Sequence, residues 1–255
     1  SGDDSRRLVD KLRACCAGLD GVDVMIEPVR EHRFVLVLRD TSGQPLGPQV
    51  GDTDPHRPGV PPHEARARTG EAERTAELVR TFVSRAREVL RDEEHANMVL
   101  LRGFAARPEL PGFAEAYGLN ACAVAGYPMY RGLAALLGMT VTPPPHDLSA
   151  AVATVSERWT DHDFFFFHHK KTDSAGEDGD FDAKVQQIEA LDAAIADLRA
   201  LAPDVLIVTG DHSTPARLKS HSWHPVPVLL HADTARRDGA TAFGERSCAG
   251  GGLGR

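Results

Sequence analysis

Apolar residues along this chain recur in two distinct rhythms. Over the first hundred residues they fall at helical spacing in two places. Leu8, Val9 and Leu12 predict a helix from about Asp4 to Ala17, ended by Gly18. Leu78, Val79, Phe82, Val83, Ala86 and Leu90 line one face of a long helix from Glu71 to Glu93, whose Arg and Glu residues form a solvated opposite face. Between the two, Val22–Val29 and His32–Arg39 read as strands with a tight connection, and Phe34–Leu38 is the clearest run. Residues 41–63 are dense in Gly and Pro, which predicts a long loop of the kind that is functional or mobile. Asn97–Phe104 reads as a short buried strand ending in Arg102-Gly103.

Beyond Pro108 and Pro111 the rhythm changes. Helices expected at 112–117, 129–137, 147–159 and 180–201 alternate with strands at 120–125, 139–142, 163–168 and 204–209. Such alternation predicts an α/β fold, a parallel sheet with helices on both faces. The Pro-rich change of pattern places a hinge between a smaller domain, 1–105, and a larger one, 106–255. On helix 180–201, Val185, Ile188, Leu191, Ile195 and Leu198 are expected to face the core. His146 and Asp147 read as helix-capping residues.

Composition narrows the classes of function. A chain of 255 residues with 42% hydrophobic content can bury a sizeable core in one or two domains. A net charge of −8 argues against nucleic acid as the main partner, yet local arginines or metal ions can still receive an anionic small molecule. Four cysteines, two of them the adjacent Cys15 and Cys16, give no disulfide framework and fit a reducing cytosol. No apolar run approaches the roughly 20 residues of a membrane-spanning helix, and no signal peptide is visible. A soluble cytoplasmic protein with no membrane partner is the expectation.

The stretch with the most chemistry is Val205–Val208 followed by Thr209-Gly210-Asp211-His212-Ser213-Thr214-Pro215. It is expected to be a buried parallel strand opening into a Gly turn, and ligands of open α/β sheets bind beyond the carboxyl ends of the strands. Adjacent residues in an extended turn point apart, so Asp211 and His212 suit two ions roughly 3.5–4 Å apart, one ligand each. Alone, such a turn is more commonly a capped, solvated one. Two other clusters change the balance. Upstream, Phe164–His169 opens into an acidic, Gly-rich loop that offers Asp173 and Glu177; downstream, His221-Ser222-Trp223-His224 precedes the apolar Val228-Leu229-Leu230. Carboxylates and imidazoles from three loops suit Mn²⁺ or Zn²⁺ better than Ca²⁺. Lys170 or Lys171 either neutralises charge beside that loop or forms a structural ion pair. Arg102, at a strand end beside a Gly, either grips a phosphate or carboxylate with its planar fork or forms an ordinary surface pair. Tyr130-Arg131, at a helix start, is a candidate phosphate contact.

The segments TDSAGEDGDF (172–181), TGDHSTP (209–215) and HSWHPVP (221–227) resemble the metal-binding loops of the archaeal-type, cofactor-independent phosphoglycerate mutases of the alkaline phosphatase superfamily. ANMVLLRGF (96–104) and YPMYRG (127–132) resemble that family too, so the likeness runs over most of the chain. Gly51–His56 resembles a substrate-side loop of the family and equally reads as an acidic solvated turn. The resemblance implies an alkaline-phosphatase-like sheet in 106–255, with 1–105 as part of an inserted substrate-side domain. It further implies two divalent ions, Mn²⁺ with Zn²⁺ or Mg²⁺ as alternatives, on Asp173, Glu177, Asp211, His212 and His221. Arg102, Arg131, Arg39 and Asp54 would face phosphoglycerate. The implied reaction is the glycolytic interconversion of 3- and 2-phosphoglycerate through a phosphoserine. Glu177 is a departure, since the family often has a His there. The family's N-terminal strand, with its metal-binding Asp and the nucleophilic Ser after it, has no counterpart here. The chain alone is therefore expected to be inactive and to leave an unpaired sheet edge. Other readings are a different phosphohydrolase or phosphomutase of the superfamily, and a non-catalytic binding module.

Overall fold

The computed structural model describes residues 2–19, 21–29 and 32–254. The chain divides into two compact units, Ser1–Pro108 and Glu109–Arg255.

The first unit contains α1 (Gly2–Cys16), the antiparallel ribbon of β1 (Val22–Pro28) and β2 (Phe34–Asp40), and α2 (Glu73–Leu90), entered through a short 3₁₀ turn at Gly70–Ala72. The apolar stripes read from the sequence meet here. Leu12 of α1, Ile26 of β1 and Val79 and Phe82 of α2 are fully buried in one core. Removing a ring such as that of Phe82 costs about 3–5 kcal/mol in cores of this kind. At the far end of α2, Glu93 receives both terminal nitrogens of Arg7 at 2.7 Å and the ammonium of Lys11, which ties α1 to the segment after α2.

Asn97–Phe104 is not a strand. Val99 and Leu101 are buried and Leu100 is exposed, so the alternation is present, but no ladder forms. Pairing stops at one residue: Thr53 N–H donates to the Leu101 carbonyl at 2.8 Å, and Leu101 N–H to the Thr53 hydroxyl at 2.7 Å. Just beyond, Asp54 accepts the His56 N–H at 2.8 Å in a tight turn that carries residues 54–56 away.

The second unit is built on the parallel sheet β4-β3-β5, formed by β3 (Ala121–Ala125), β4 (Thr140–Val141) and β5 (Phe164–His168). All five residues of the central β3 are buried, as expected of a parallel strand covered on both faces. The alternation of β5 divides its rings between two layers. Phe165 and Phe167 pack with Trp159 and with Val155 of α5 (Leu148–Glu157), whose N-terminus is capped by Asp147. Phe164 meets Phe113 of α3 (Phe113–Tyr117), and Phe166 meets Tyr130 of α4 (Pro128–Leu136). The register sets Ala125 opposite His168, so β3 and β5 end together at the sheet's C-terminal edge.

Three expectations for this unit are corrected. The acidic loop after β5 is a helix, α6 (Lys171–Asp178), ended by Gly179 in the left-handed region at φ 76°. Its Thr, Asp and Ser residues near the start suit a helix N-terminus, and Gly176 lets the helix approach its neighbour closely. Next, the run at 205–208 is not a buried parallel strand. It is β6 (Val205–Val208), antiparallel to β7 (Leu229–Ala232) in a separate ribbon, with Val205 and Ile207 more than half exposed. A two-stranded ribbon leaves side chains of alternate residues facing water. Finally, the stripe on α7 (Phe181–Ala200) is not core throughout. Ala194 is its buried residue and Ile188 is half exposed, while Leu198 packs against the α5 cluster. A short α8 (Glu245–Cys248) follows β7. No helix among the described residues is long and apolar enough to cross a membrane.

Candidate metal centre

Because α6 is helical, Asp173 and Glu177 are four residues apart on one face. Asp180 caps α7, which carries the chain back to β6 and so to Asp211 and His212. An isolated antiparallel bridge between Ser213 and Ser222, with Ser222 N–H donating to the Ser213 carbonyl at 2.9 Å, then returns His221 beside His212.

Three of the five sequence-predicted ligands, Asp173, His212 and His221, come together here, with Glu177 beside His221 and Asp211 beside His212. One nitrogen of His212, one of His221 and one oxygen of Asp173 lie within 4.8 Å of each other. His221 Nε2 is 3.6 Å from Asp173 Oδ1 and 3.5 Å from Glu177 Oε1. His212 reaches both ways, with Nδ1 3.9 Å from Asp173 and Nε2 3.7 Å from Asp211. Asp173 and His212 are half-buried, whereas His221 is exposed.

Neighbouring groups hold these side chains. The Lys170 ammonium pairs with Asp173, stands 3.8 Å from Glu177 and lies 5.5 Å above the Tyr127 ring. The Thr214 hydroxyl donates to Asp173 and is 3.1 Å from His212 Nδ1. Tyr130, expected as a phosphate contact, instead donates its phenol to Asp211 Oδ2 and packs on His168 with centroids 3.9 Å apart. Burial and then the Asp211 hydrogen bond push the Tyr130 hydroxyl up to about 12. Burial works to raise the Asp211 pKa, but the Tyr130 bond, the nearby His212 and backbone N–H groups together hold it below the ordinary carboxylate value. Burial lowers the pKa of His168, whose Nδ1 is enclosed without a hydrogen-bond partner.

The candidate substrate residues are placed differently. Arg131 Nη1 donates to the carbonyls of Ala125 and Thr142, at the ends of β3 and β4. In the first unit, Asp54, His56, Arg57 and Arg102 line a cavity of about 510 Å³, with Arg102 Nη1 3.9 Å from Asp54 Oδ2. Asp52 accepts the Gly103 N–H at 3.0 Å, so the acidic turn is anchored to the segment bearing Arg102. Arg39 is exposed on β2, in register with Asp23. Sequence reasoning missed Thr214 as an organiser of the centre, although it stands within the TGDHSTP segment, and missed Lys184 altogether.

The donor set, the Asp173 carboxylate and two imidazoles within 4.8 Å of one another with the Glu177 and Asp211 carboxylates at either side, has the chemistry of a divalent-cation site. Comparisons with known proteins agree. Residues 1–96 match the family model of 2,3-bisphosphoglycerate-independent phosphoglycerate mutase. A protein of Deinococcus radiodurans, named "probable 2,3-bisphosphoglycerate-independent phosphoglycerate mutase", is 49% identical over 100% of this chain and 63% of its own length. One of Thermus thermophilus with the same name is 47% identical over 99% of the chain and 62% of its own length. The solved cofactor-independent phosphoglycerate mutase of Thermoplasma acidophilum superposes with a TM-score of 0.67 at 27% identity, covering 97% of this chain and 65% of that one. The resemblance read from the loops is thus borne out, and the chain spans a little over three fifths of the length of these relatives. With residues 91–255 matching its family model, the chain belongs to the metalloenzyme superfamily.

Proposed function

We propose that this chain supplies most of the metal centre and an anion-binding surface of a 2,3-bisphosphoglycerate-independent phosphoglycerate mutase, working in the cytoplasm. The observation that carries the reading is the convergence of Asp173, His212 and His221, flanked by Glu177 beside His221 and Asp211 beside His212. Two divalent ions, Mn²⁺ by the mixed oxygen and nitrogen donors, fit these residues. Asp173, Glu177 and His221 form one side of the set, and Asp211 the other, with His212 between. When bound, such ions polarise phosphoryl oxygens and acidify an attacking hydroxyl.

The chain's own residues do the rest of the binding work. Glu177 keeps a hard oxygen donor where the related loops often carry an imidazole. Thr214 and Tyr130 fix the carboxylates of Asp173 and Asp211 in orientation, as outer hydrogen-bond partners of metal ligands do. Lys170 balances the negative charge of Asp173 and Glu177. Arg102, beside Asp54 in the cavity of the first unit, is the proposed contact of the phosphoglycerate anion, and exposed Arg39 of the same unit is a second. A guanidinium offers a carboxylate or phosphate two parallel N–H donors.

The test is a coupled mutase assay on a protein of the relatives' full length that contains this chain. Turnover of 3-phosphoglycerate to 2-phosphoglycerate that is lost on chelation and returns with Mn²⁺ is expected. Turnover indifferent to chelation, or no interconversion by a protein that binds Mn²⁺, would overturn the reading.

A further inference from the structure

Two carbonyls from different segments of the second unit are bound to one ammonium. Lys184 Nζ donates to the Thr214 carbonyl at 2.8 Å and to the Thr172 carbonyl at 3.2 Å. Lys184 lies in the first turn of α7, where its own N–H donates to the Asp180 carbonyl at 3.1 Å. Thr172 immediately precedes Asp173 on α6. Thr214 lies two residues after His212, and its hydroxyl bonds Asp173 and approaches His212. The same spot is closely packed from the helix side. A Cβ on Gly176 would stand 2.3 Å from the Thr214 carbonyl and 3.1 Å from Lys184 Nζ.

We propose that Lys184 is a positioning residue for the metal centre: its ammonium clamps the start of α6 to the segment after β6, and so sets the spacing between Asp173 and His212. The inference rests on the metal-centre reading above. It assigns Lys184 no contact with the cation. Geometry and simple electrostatics make opposite forecasts for its removal. A positive charge near a cation site repels the cation, so losing that charge alone would tighten binding. Losing the clamp would loosen it, because partners that orient ligands are typically worth about 10–100-fold in metal affinity.

The experiment titrates Mn²⁺ by calorimetry into a metal-free protein of the relatives' full length that contains this chain, and into its variants, with the melting temperature of each metal-free protein measured alongside. Lys184→Met, which keeps the apolar stem and removes charge and donors together, is expected to raise Kd at least about 10-fold. Lys184→Arg, which keeps both, is expected to stay within about threefold of the parent. Should Lys184→Met fail to fold, Lys184→Gln, with its neutral amide donor, is expected to bind more weakly than the parent. Binding by the neutral variant as tight as the parent's, or tighter, overturns the positioning role. A full-length parent that takes up no Mn²⁺ overturns the metal-centre reading itself, so the two failures are distinguishable.

Discussion

The imidazoles of His212 and His221 lie nearly face to face, with centroids 3.8 Å apart and planes 29° from parallel. The two residues come from opposite sides of the Ser213–Ser222 bridge, so the pair extends the β6–β7 ribbon past its last ladder rung. Both rings point toward Asp173, which turns a sheet register into a chelating geometry.

From that relationship, His221→Ala and Asp173→Asn should each weaken Mn²⁺ binding by more than the roughly 10–100-fold seen for outer-shell partners. Calorimetric titration of the metal-free chain checks this. Equal affinity in either variant would remove that residue from the ligand set.

Gly176→Ala should destabilise the second unit by about 1–3 kcal/mol, the usual cost of overpacking. An alanine normally strengthens a helix interior by ~1 kcal/mol relative to glycine, so the expected sign is the reverse of the intrinsic preference. The reason is backbone, not a flexible side chain: the new methyl would meet the Thr214 carbonyl. Urea denaturation of the variant decides, and a stability gain would contradict the close approach of α6.

Glu93 makes the first unit acid-sensitive. Hydrogen bonds from Arg7 and Lys11 hold its carboxyl down to about 2. A depressed folded-state pKa contributes stability above the unfolded value near 4.5, and that contribution disappears as pH falls toward 2. Glu93→Gln should therefore lower the melting temperature by a few degrees at pH 7 and very little near pH 2. An unchanged difference between parent and variant across that range would show the ion pairs to be inert.

Arg102→Ala, made in a protein of the relatives' full length, should raise KM for phosphoglycerate about 10-fold, since a charge-assisted hydrogen bond is worth about 1.5–3 kcal/mol. Arg102→Lys should recover part of this, because it restores charge without the planar fork. Steady-state kinetics identical to the parent would leave Arg102 as a partner of Asp54 alone.

Much of the fold was legible because its core obeys simple periods. The stripe from Leu78 to Leu90 is the buried face of α2, and the apolar runs at 121–125 and 164–168 pair in the parallel sheet. The site was legible in composition, since acidic and imidazole side chains cluster where apolar runs end. Three things depended on tertiary contact and left no local signal. Residues 171–178 carry Gly and Asp that suggest a loop, yet packing against the Thr214 segment makes them a helix. Val205–Val208 looks like any buried strand, and its antiparallel partner is set by the Ser213–Ser222 bridge beyond it. Lys184 sits on an ordinary amphipathic helix, and its two carbonyl partners lie 12 and 30 residues away.

The candidate metal ligands are gathered from before α7 and after β6, with all of that helix and strand between Asp173 and His212. An unfolded chain holds the same groups scattered, so a cation that prefers the gathered set acts as a ballast on the folded side of the equilibrium. At a free concentration of about 100 times Kd that ballast amounts to about 2.7 kcal/mol, a sizeable share of what ordinarily separates folded from unfolded. On the proposed reading, cation supply would then set what fraction of residues 109–255 is folded, as well as what they can bind.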